Sequence, residues 1–533
     1  MNLKVLLNTN QYTLPFQGIN SGMEVNRVNR VNGVNTNLQR SPEKDTFEMS
    51  IGYVNDIHGQ TNNMIRILSG IKGDLRLSAG DNDIGDEKNT LVHRATVKFL
   101  NLAGIKATAL GNHEFDTKQA DFIHTIQGYK GDVLTANLKK DDLKTQRKED
   151  IESFGRADLK DYLKKSKIVE VKGEKIGLIG ASPVDMFKRA THPEYHEDCH
   201  VDAMEETIDD IQEEVEELRE AGVNKIVLIS HLGFERDKIV AENTNGIDVI
   251  VSGHTHELVK GIEENENLLY SNSGEPVILA EAGRDGKAFG LLNLTFDKDG
   301  IITKAQNNLA ETSIFYRNMI NQYIFDEILG KPEKVGYIKK APMPPSTLIE
   351  ENPHANFMCD AMRYELDTDI AIWNNAGPRN FFHEGVLDSR DVRDIAPFRD
   401  GVAVANVSEK KIVDWFKKAV ELSYSTPGHK PGLVAVSGIN YTVDSKAGKL
   451  VEMSFIDKAG NEHKIDTNNP RKDKTYRLAA DTFIMSQGKE IGILAPKEEC
   501  EIHSECKDYY ACEYIKHLDK PLEINQTGRI KFI

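Results

Sequence analysis

The sequence is poor in basic residues and in cysteine for its length of 533 residues. Lysine and arginine total 67 against 84 aspartates and glutamates, which gives a formal net charge of −17. This acidity argues against binding to a nucleic acid duplex, which requires basic surface stripes, and therefore against a metal-dependent nuclease. It leaves room for a locally positive or metal-bearing cleft that accepts a small phosphate ester.

The five cysteines are too few and too odd in number for a disulfide scaffold, and they favour reduced thiols in a cytoplasmic protein. The last three are evenly spaced around His503, so a metal clip is an open alternative. The CxxC spacing of many zinc sites is absent, which argues against that alternative. The five are Cys199, Cys359, Cys500, Cys506 and Cys512.

Long hydrophobic runs are also missing. No stretch of about 18 apolar residues occurs, which argues against a transmembrane helix. The N-terminus carries Lys4 but no hydrophobic segment of signal-peptide length, because Gln11 and Asn20 interrupt it. We therefore expect a cytoplasmic protein without a membrane partner, and the sequence does not indicate an oligomeric state.

The chain is longer than one ordinary hydrophobic core, so two domains are expected. Residues 1–47 contain the near-repeat NRVNRVNGVNTN and little apolar mass, which predicts a disordered N-terminal extension. Strand and helix patterns alternate over 48–312, which is typical of an α/β layer fold. Residues 313–335 predict an inter-domain linker helix, and 336–533 predict a second, α+β domain.

Within the first domain, three segments illustrate the pattern. DVLTANL at 132–138 predicts one strand, and the charge-rich segment 140–166 predicts a solvated insertion. Residues 203–221 predict an acidic amphipathic helix whose charges form a solvated face.

The stretch ALGNHEFD at 109–116 is the most informative one in the chain. An apolar run ends at Gly111 and is followed at once by Asn112, His113 and Asp116, which is typical of a strand tip that faces a site. Asn112 offers a neutral oxygen to a metal, His113 a titratable ring, and Asp116 a carboxylate that can orient this ring. Considered alone, the block is equally compatible with a buried hydrogen-bonded turn.

Four further apolar runs end in side chains that can bind metals. The carboxyl ends of strands in an α/β sheet gather at one edge, so residues far apart in the chain can converge there. Histidine, aspartate and asparagine together suit Zn, Mn, Fe or similar divalent ions. The candidate ligands are too many for one ion, so we expect two ions about 3.5–4 Å apart, with Asp81 as the bridge. The candidates are Asp56, His58, Asp81, Asn112, His231, His254 and His256.

These blocks together carry a family resemblance. DxH at 56–58, GDxxxG at 80–85, GNHEFD, His231 after an apolar strand, and GHTH at 253–256 resemble the signature of calcineurin-like metallophosphoesterases. With NNAGPR at 374–379, which is close to NxGxxR but has Ala376 at the glycine position, the fuller pattern resembles the two-domain 5′-nucleotidase family. That family includes UDP-sugar hydrolases and 2′,3′-cyclic-nucleotide phosphodiesterases. The resemblance covers 48–533 and implies an α/β protein with an N-terminal calcineurin-like metallophosphoesterase β-sandwich with flanking helices and a C-terminal α+β 5′-nucleotidase domain.

The resemblance also implies roles for individual residues. It implies that Asp56, His58 and His256 bind a first metal, that Asn112, His231 and His254 bind a second, and that Asp81 bridges the two. It implies a catalytic role for His113, supported by Asp116. Two cations depress the pKa of a bound water, so we expect a metal-held hydroxide to attack phosphorus in line. His113 then stabilises the phosphoryl oxygens or protonates the leaving alkoxide.

The second domain matches the family less closely. Arg379, the last residue of NNAGPR, is the candidate clamp for a phosphate or carboxylate. Phe483 falls where the family has one ring of a base-stacking pair, although a core position explains it as well. Two departures from the family pattern affect the base site: Lys489 stands where the family has an aspartate, and Leu433 is an aliphatic where the second ring is expected.

The sequence therefore predicts a hydrolase with two divalent metal ions that releases phosphate from nucleoside 5′-monophosphates or related nucleotides. Hydrolysis of a cyclic nucleotide, a nucleotide sugar or another ester is the nearest alternative, because the base clamp departs from the family pattern. A non-catalytic metal- or nucleotide-binding relative is a third possibility, against which the intact ligand set argues. The expected partner is a small-molecule nucleotide or phosphate ester.

Overall fold

The computed structural model describes residues 22–24, 46–84, 89–140, 159–189, 196–314, 317–425, 432–487 and 491–533. Most of the predicted disordered extension 1–47 lies outside these residues, as do Lys489 and residues 141–158 of the predicted insertion. Residues Gly22–Glu24 of the extension are described as a short strand that pairs with Lys304–Gln306.

The N-terminal part alternates strands and helices as far as residue 311. Its helices are α1 (Thr61–Ile67), α2 (Thr90–Ala103), α3 (Gln119–Ile126), α4 (Met186–Arg189), α5 (Met204–Glu220) and α6 (Phe234–Asn243). Its strands are β1 (Gly22–Glu24), β2 (Phe47–Val54), β3 (Leu75–Ser78), β4 (Ala107–Ala109), β5 (Asp132–Leu134), β6 (Leu138–Lys140), β7 (Leu163–Lys164), β8 (Ser166–Val171), β9 (Glu174–Ala181), β10 (Cys199–Val201), β11 (Ile226–Ser230), β12 (Val249–Val251), β13 (Leu268–Tyr270), β14 (Pro276–Ala280), β15 (Ala288–Phe296) and β16 (Ile302–Glu311).

Two large sheets form a sandwich in this part of the chain. One has eight strands in the order β1-β16-β15-β2-β3-β4-β5-β7, and the other has six in the order β13-β14-β12-β11-β9-β8. A shared core of side chains such as Ile51, Leu77, Leu178 and Val249 joins their inner faces, while α1 and α2 cover one outer face and α5 and α6 the other. Strands β2 to β5 run parallel to one another, as do β9, β11, β12 and β14. This arrangement confirms the predicted α/β sandwich with flanking helices.

The helices and strands follow from their apolar periodicity. Helix α5 buries Ile211, Val215 and Leu218 on one face and exposes its acidic residues, as the pattern over 203–221 predicts. The predicted single strand over 132–138 is instead two strands, β5 and β6, because Asn137 leaves the sheet. Its buried amide accepts from the Ser182 backbone N–H and donates to the Ser182 carbonyl, both at 2.8 Å.

The second part of the chain begins with α7 (Met319–Leu329). This helix starts later than the predicted 313, with the Asn318 side chain accepting from the Ile320 N–H, and it packs Phe325 into the core beside α1 and α2. Further helices are α8 (Pro353–Glu365), α9 (Ser389–Ile395), α10 (Glu409–Ser425) and α11 (Lys507–Leu518). The strands are β17 (Lys334–Lys340), β18 (Ile370–Asn374), β19 (Gly385–Asp388), β20 (Gly401–Ser408), β21 (Val434–Ser437), β22 (Ile439–Asp444), β23 (Lys449–Ile456), β24 (Glu462–Ile465), β25 (Thr475–Asp481), β26 (Glu501–Cys506), β27 (Leu522–Glu523) and β28 (Ile530–Phe532).

These strands form three sheets around one further core. Their orders are β19-β17-β27, β21-β18-β25-β20-β26 and β24-β23-β22-β28, and the mixture with α8, α10 and α11 is the predicted α+β domain. No helix among the described residues has both the length and the hydropathy needed to cross a bilayer.

The two parts contact each other through α9 and α1. The backbone N–H of Asn62 donates to the Asp394 carboxylate at 3.3 Å, and the Asn62 amide donates to Asp391 at 2.9 Å. The Gln60 amide donates to the Asp394 carbonyl at 2.9 Å. Burial, together with the nearby Asp391 charge, raises the pKa of Asp394 to about 7. The segment between Arg379 and Asp394 therefore lies against the N-terminal sandwich.

All five cysteines are free thiols. Cys500 donates to the Pro496 carbonyl and Cys506 to the Arg399 carbonyl, each at 3.2 Å. The described groups with metal-ligand spacing contain no cysteine. The metal clip considered from the sequence is therefore not formed by these residues.

Candidate metal centre

The parallel strands of both sheets end at one edge of the sandwich, and all seven predicted ligands follow these strand ends. Asp56 and His58 follow β2, Asp81 follows β3, and Asn112 follows β4. In the other sheet, His231 follows β11, while His254 and His256 follow β12. The structure therefore brings together residues that the sequence separates by up to 200 positions.

Their ligand atoms form two adjoining groups. In the first, His256 Nε2 lies 3.2 Å from Asp56 Oδ1, and His58 Nε2 lies 3.8 Å from the same oxygen. In the second, His231 Nε2 lies 3.0 Å from Asp81 Oδ2. His254 completes that second group, and Asp81 Oδ2 also lies 3.7 Å from His58 Nε2. Asp81 thus faces both groups.

Four atoms at this edge are buried and have no hydrogen-bond partner among the described residues. They are Asp56 Oδ1, His58 Nε2, Asn112 Oδ1 and His231 Nε2. Buried polar atoms in folded proteins are normally paired, so four neighbouring exceptions point to a ligand site. Nitrogen and oxygen donors a few ångströms apart fit divalent cations of the zinc and manganese type.

The backbone at this edge adopts an uncommon conformation. Of the ten described non-glycine residues with positive φ, five are candidate ligands: Asp56, His58, Asp81, His254 and His256, with φ between 47° and 80°. Such a conformation costs on the order of 1–3 kcal/mol for each residue and is characteristic of functional sites. The fold therefore keeps these side chains in place at an energetic cost.

Two glycines allow the loops to approach each other. A Cβ atom at Gly111 would lie 2.1 Å from Asp81 Oδ1, and one at Gly253 would lie 2.9 Å from His231 Nδ1 and 3.0 Å from Asp56 Oδ2. Both distances are below van der Waals contact, so a larger residue at either position would displace a candidate ligand.

The electrostatic field at the site is strongly negative around Asp81 and Asp56. Burial lowers the pKa of His231, but these two carboxylates overcome that effect and raise it to about 10. Burial and the His231 charge lower the pKa of the neighbouring His254 to about 3. A field that holds a proton this tightly on a buried histidine also favours a bound cation.

His113 forms a further group of metal-ligand spacing with His58 and Asp81, and Asp116 orients its ring. Its Nδ1 is 2.6 Å from Asp116 Oδ2, and its backbone N–H donates to Asp81 Oδ1 at 2.8 Å. The ring meets that of His58 edge to face, with centroids 5.2 Å apart. Burial lowers its pKa, while the charges of Asp116 and Asp81 raise it, with a net increase.

The C-terminal domain contributes Arg379 and Phe398 to the same place. Arg379 is buried, its Nη1 lies 3.4 Å from His58 Nδ1, and its guanidinium carbon is 5.2 Å from the centre of the Phe398 ring. The Phe398 ring in turn lies 6.0 Å from that of His113. Phe398 is an aromatic neighbour of the site that the sequence reasoning missed.

The predicted base-stacking positions do not form a pair of rings. Phe483 is half-buried and packs against the core of the C-terminal domain, and Leu433 is fully buried in that core. Lys489 lies outside the described residues.

Three carboxylates that the sequence reasoning did not select, the buried Asp237 and Asp285 and the partly exposed Glu114, hold the loops of the site. Glu114 accepts from the backbone N–H groups of Asp81, Asn82 and Gly111 at 2.8–3.1 Å. Asp237 on α6 accepts one serine hydroxyl on each oxygen, from Ser230 and Ser252, which precede His231 and the GHTH block. Asp285 contacts His58 Nδ1 at 3.0 Å. Of these, only Glu114 lies within a motif visible in the sequence.

Comparison with known proteins identifies both domains. The calcineurin-like phosphoesterase family matches residues 49–258, and the 5′-nucleotidase C-terminal domain family matches residues 334–495. The chain is 26% identical to the trifunctional nucleotide phosphoesterase YfkN of Bacillus subtilis, over 92% of this chain but only 35% of that protein. It is 27% identical to a probable 5′-nucleotidase of Treponema pallidum, over 80% of this chain and 79% of the relative.

A solved structure has the same fold. The 5′-nucleotidase precursor of Thermus thermophilus superposes with a TM-score of 0.67 at 22% identity, over 91% of this chain and 99% of that one. This superposition shows the fold alone. The two family matches and the named relatives identify the chain as a metal-dependent phosphoesterase, with a calcineurin-like phosphoesterase domain followed by a 5′-nucleotidase C-terminal domain.

Proposed function

We propose that the protein is a two-metal phosphohydrolase that releases phosphate from nucleoside 5′-monophosphates or related nucleotides. One observation carries the proposal: four buried ligand-type atoms without partners surround Asp56 and Asp81 at the strand ends. The names of the relatives, a nucleotide phosphoesterase and a probable 5′-nucleotidase, support nucleotides as the substrate class. The proposal includes a division of the chain into two domains, 48–312 and 336–533. Residues 313–335 join the two domains, and the extension 1–47 precedes the first.

The seven ligands divide into two sets in this proposal. Asp56, His58 and His256 hold the first cation, Asn112, His231 and His254 the second, and Asp81 both. Two such cations lower the pKa of a coordinated water and neutralise charge on the phosphoryl oxygens. The carboxylates and rings supply fixed geometry, because burial and hydrogen bonds leave them few alternative rotamers.

His113 and Arg379 act on the substrate itself. The Asp116 carboxylate binds Nδ1 of His113 and stabilises the protonated ring, and in that imidazolium form Nε2 donates to a phosphoryl or leaving-group oxygen. Arg379 brings positive charge from the second domain and has an Nε without a partner among the described residues, so it can pair with a phosphate. The water-poor setting of both groups strengthens these interactions.

The residues at the two base-stacking positions favour a second class of substrate as the alternative. Leu433 is buried and Phe483 packs against the core, so the pair of rings that would hold a base is not formed. Phe398 is instead the aromatic side chain beside the catalytic histidine. Cyclic nucleotides and nucleotide sugars are therefore the alternative substrates.

The test is product formation with metals varied. The protein is stripped with EDTA, reloaded with Mn²⁺ or Zn²⁺, and assayed with AMP, UDP-glucose, 2′,3′-cyclic AMP and an aryl phosphate. We expect metal-dependent phosphate release from AMP that is abolished by chelator. Preference for UDP-glucose or the cyclic nucleotide would support the alternative class.

Matched variants test whether the measured activity comes from this site or from a contaminating enzyme. Asp81→Asn should lower turnover by at least about 100-fold, because it removes the shared carboxylate. Asp299→Asn, an exposed aspartate in the loop after β15, is the control and should leave turnover unchanged. Absence of activity with every ester and metal, or equal activity of Asp81→Asn, would overturn the proposal.

A further inference from the structure

Asp285 occupies an unusual place beside the first group of ligands. It lies three residues before β15, is almost completely buried, and has a φ of 58°. Its backbone N–H donates to the Asp56 carbonyl at 2.6 Å, and its carbonyl accepts from the Asn63 amide at 2.8 Å. The fold therefore fixes this aspartate against the loop that carries Asp56 and His58.

The carboxylate of Asp285 determines which nitrogen of His58 faces the centre. Asp285 Oδ1 lies 3.0 Å from His58 Nδ1, while His58 Nε2 faces Asp56 and Asp81 and has no hydrogen-bond partner among the described residues. A carboxylate accepts only, so His58 carries its proton on Nδ1 and leaves the Nε2 lone pair free for a cation.

The same carboxylate and Arg379 of the second domain both approach His58. Arg379 Nη1 lies 3.4 Å from His58 Nδ1, the atom that Asp285 Oδ1 contacts at 3.0 Å. Both nitrogens are donors in this arrangement, so the ring gives the guanidinium no acceptor. Lys287 and Arg284 also contact Asp285, at 3.2 and 3.5 Å, which makes it the anionic centre of a cationic cluster.

We propose that Asp285 is a positioning residue with two separable functions: it orients His58 toward the first cation, and it is the counter-charge that holds Arg379, and with it the second domain, against the metal centre. The first function rests on the proposed metal site, whereas the second concerns the contact between the domains and is independent of turnover. Neither requires Asp285 to touch the substrate.

Two substitutions distinguish these functions. In Asp285→Asn the amide oxygen still accepts from His58 Nδ1, but the charge facing Arg379 is lost. In Asp285→Ala both are lost. Arg379→Gln removes the charge partner alone, and Asp299→Asn, on the surface of the same domain, is the matched control.

Metal affinity and amide exchange are the readouts, and neither depends on activity. Mn²⁺ titration of the stripped protein should show a first site weakened about 10- to 100-fold in Asp285→Ala and little changed in Asp285→Asn. Hydrogen exchange of residues 60–64, whose Asn62 N–H donates across the interface to Asp394, reports docking of the domains. Exchange of these residues should become roughly 5- to 30-fold faster in Asp285→Asn and in Arg379→Gln. The double variant should exchange no faster than either single variant.

The opposite pattern would overturn the inference. Equal Mn²⁺ affinity in Asp285→Ala and wild type would exclude the orientation of His58. Exchange at 60–64 that is unchanged in Asp285→Asn, or additive in the double variant, would exclude the pairing with Arg379. A wild-type protein that binds two Mn²⁺ ions but hydrolyses no ester would contradict the proposed function and leave both of these measurements valid.

Discussion

Replacement of Glu114 should loosen at once the two loops that carry the candidate ligands Asp81 and Asn112. Its carboxylate accepts three backbone N–H groups: those of Asp81 and Gly111 on Oε2, and that of Asn82 on Oε1. Glu114→Ala leaves these three buried donors without an acceptor. Each unsatisfied donor costs about 1–3 kcal/mol, so the loops should lose at least about 3 kcal/mol of local stability. Glu114→Gln keeps one acceptor oxygen, which can serve the two donors on Oε2, and should lose about a third of that amount.

Hydrogen exchange measures this loss where it occurs. A loss of about 3 kcal/mol corresponds to exchange about 100-fold faster, which we expect for peptides covering 80–84 and 109–113 in Glu114→Ala. The exposed Glu206 on α5 supplies a control, since Glu206→Ala removes a glutamate from the same domain without touching the loops. Exchange in both peptides that is unchanged in a folded Glu114→Ala protein would refute the reasoning.

Three further predictions concern other buried groups. His113→Asn should lower kcat by about 100-fold or more and leave metal content, measured by plasma mass spectrometry, unchanged; loss of metal would instead make His113 a ligand. Asp237→Ala frees the two serines beside His231 and the GHTH block, so in a Mn²⁺ titration it should lower the affinity for the second cation and leave the affinity for the first unchanged. An equal loss of affinity at both sites would contradict this. The raised pKa of Asp394 stabilises the fold below about pH 4, and this contribution is lost as pH rises through about 7. In chelator-treated protein, the free energy of unfolding of Asp394→Asn should therefore change less between about pH 4 and 7 than that of wild type, by up to about 4 kcal/mol. Parallel dependence of the two proteins on pH would contradict this prediction.

The candidate ligands could be predicted because each stands within five residues of a strand end. An apolar run that stops at a polar side chain is visible in one dimension, and parallel strands bring such ends to one edge whatever their separation in the chain. The same reasoning identified Asn112 and His254, which are 142 positions apart. It needed no knowledge of which strands are neighbours.

Asp285 and Asp237 could not be found in this way, because their partners depend on neighbour relations. Asp285 reaches His58 because β15 pairs antiparallel with β2, which brings the loop before one strand beside the loop after the other. Asp237 lies on α6 and contacts Ser230 and Ser252 only because β11 and β12 are adjacent. Neither register is encoded in a local pattern. The split of the predicted strand at Asn137 has the same origin, since its partner Ser182 follows β9.

The backbone conformation of the candidate ligands is the feature that the sequence reveals least. It also explains why several carboxylates contact the loops that carry these ligands. Aspartate and histidine at positive φ, as at Asp56, Asp81 and His254, look like any other aspartate or histidine in the chain. At on the order of 1–3 kcal/mol each, the strained positions together approach the stability of a whole domain, which is about 5–15 kcal/mol. Contacts fixed elsewhere must offset them, and Glu114 and Asp285 provide such contacts by binding the loop backbone rather than the metal. The candidate ligands are therefore held in their geometry by contacts within the protein, which is the support that a preorganised site requires.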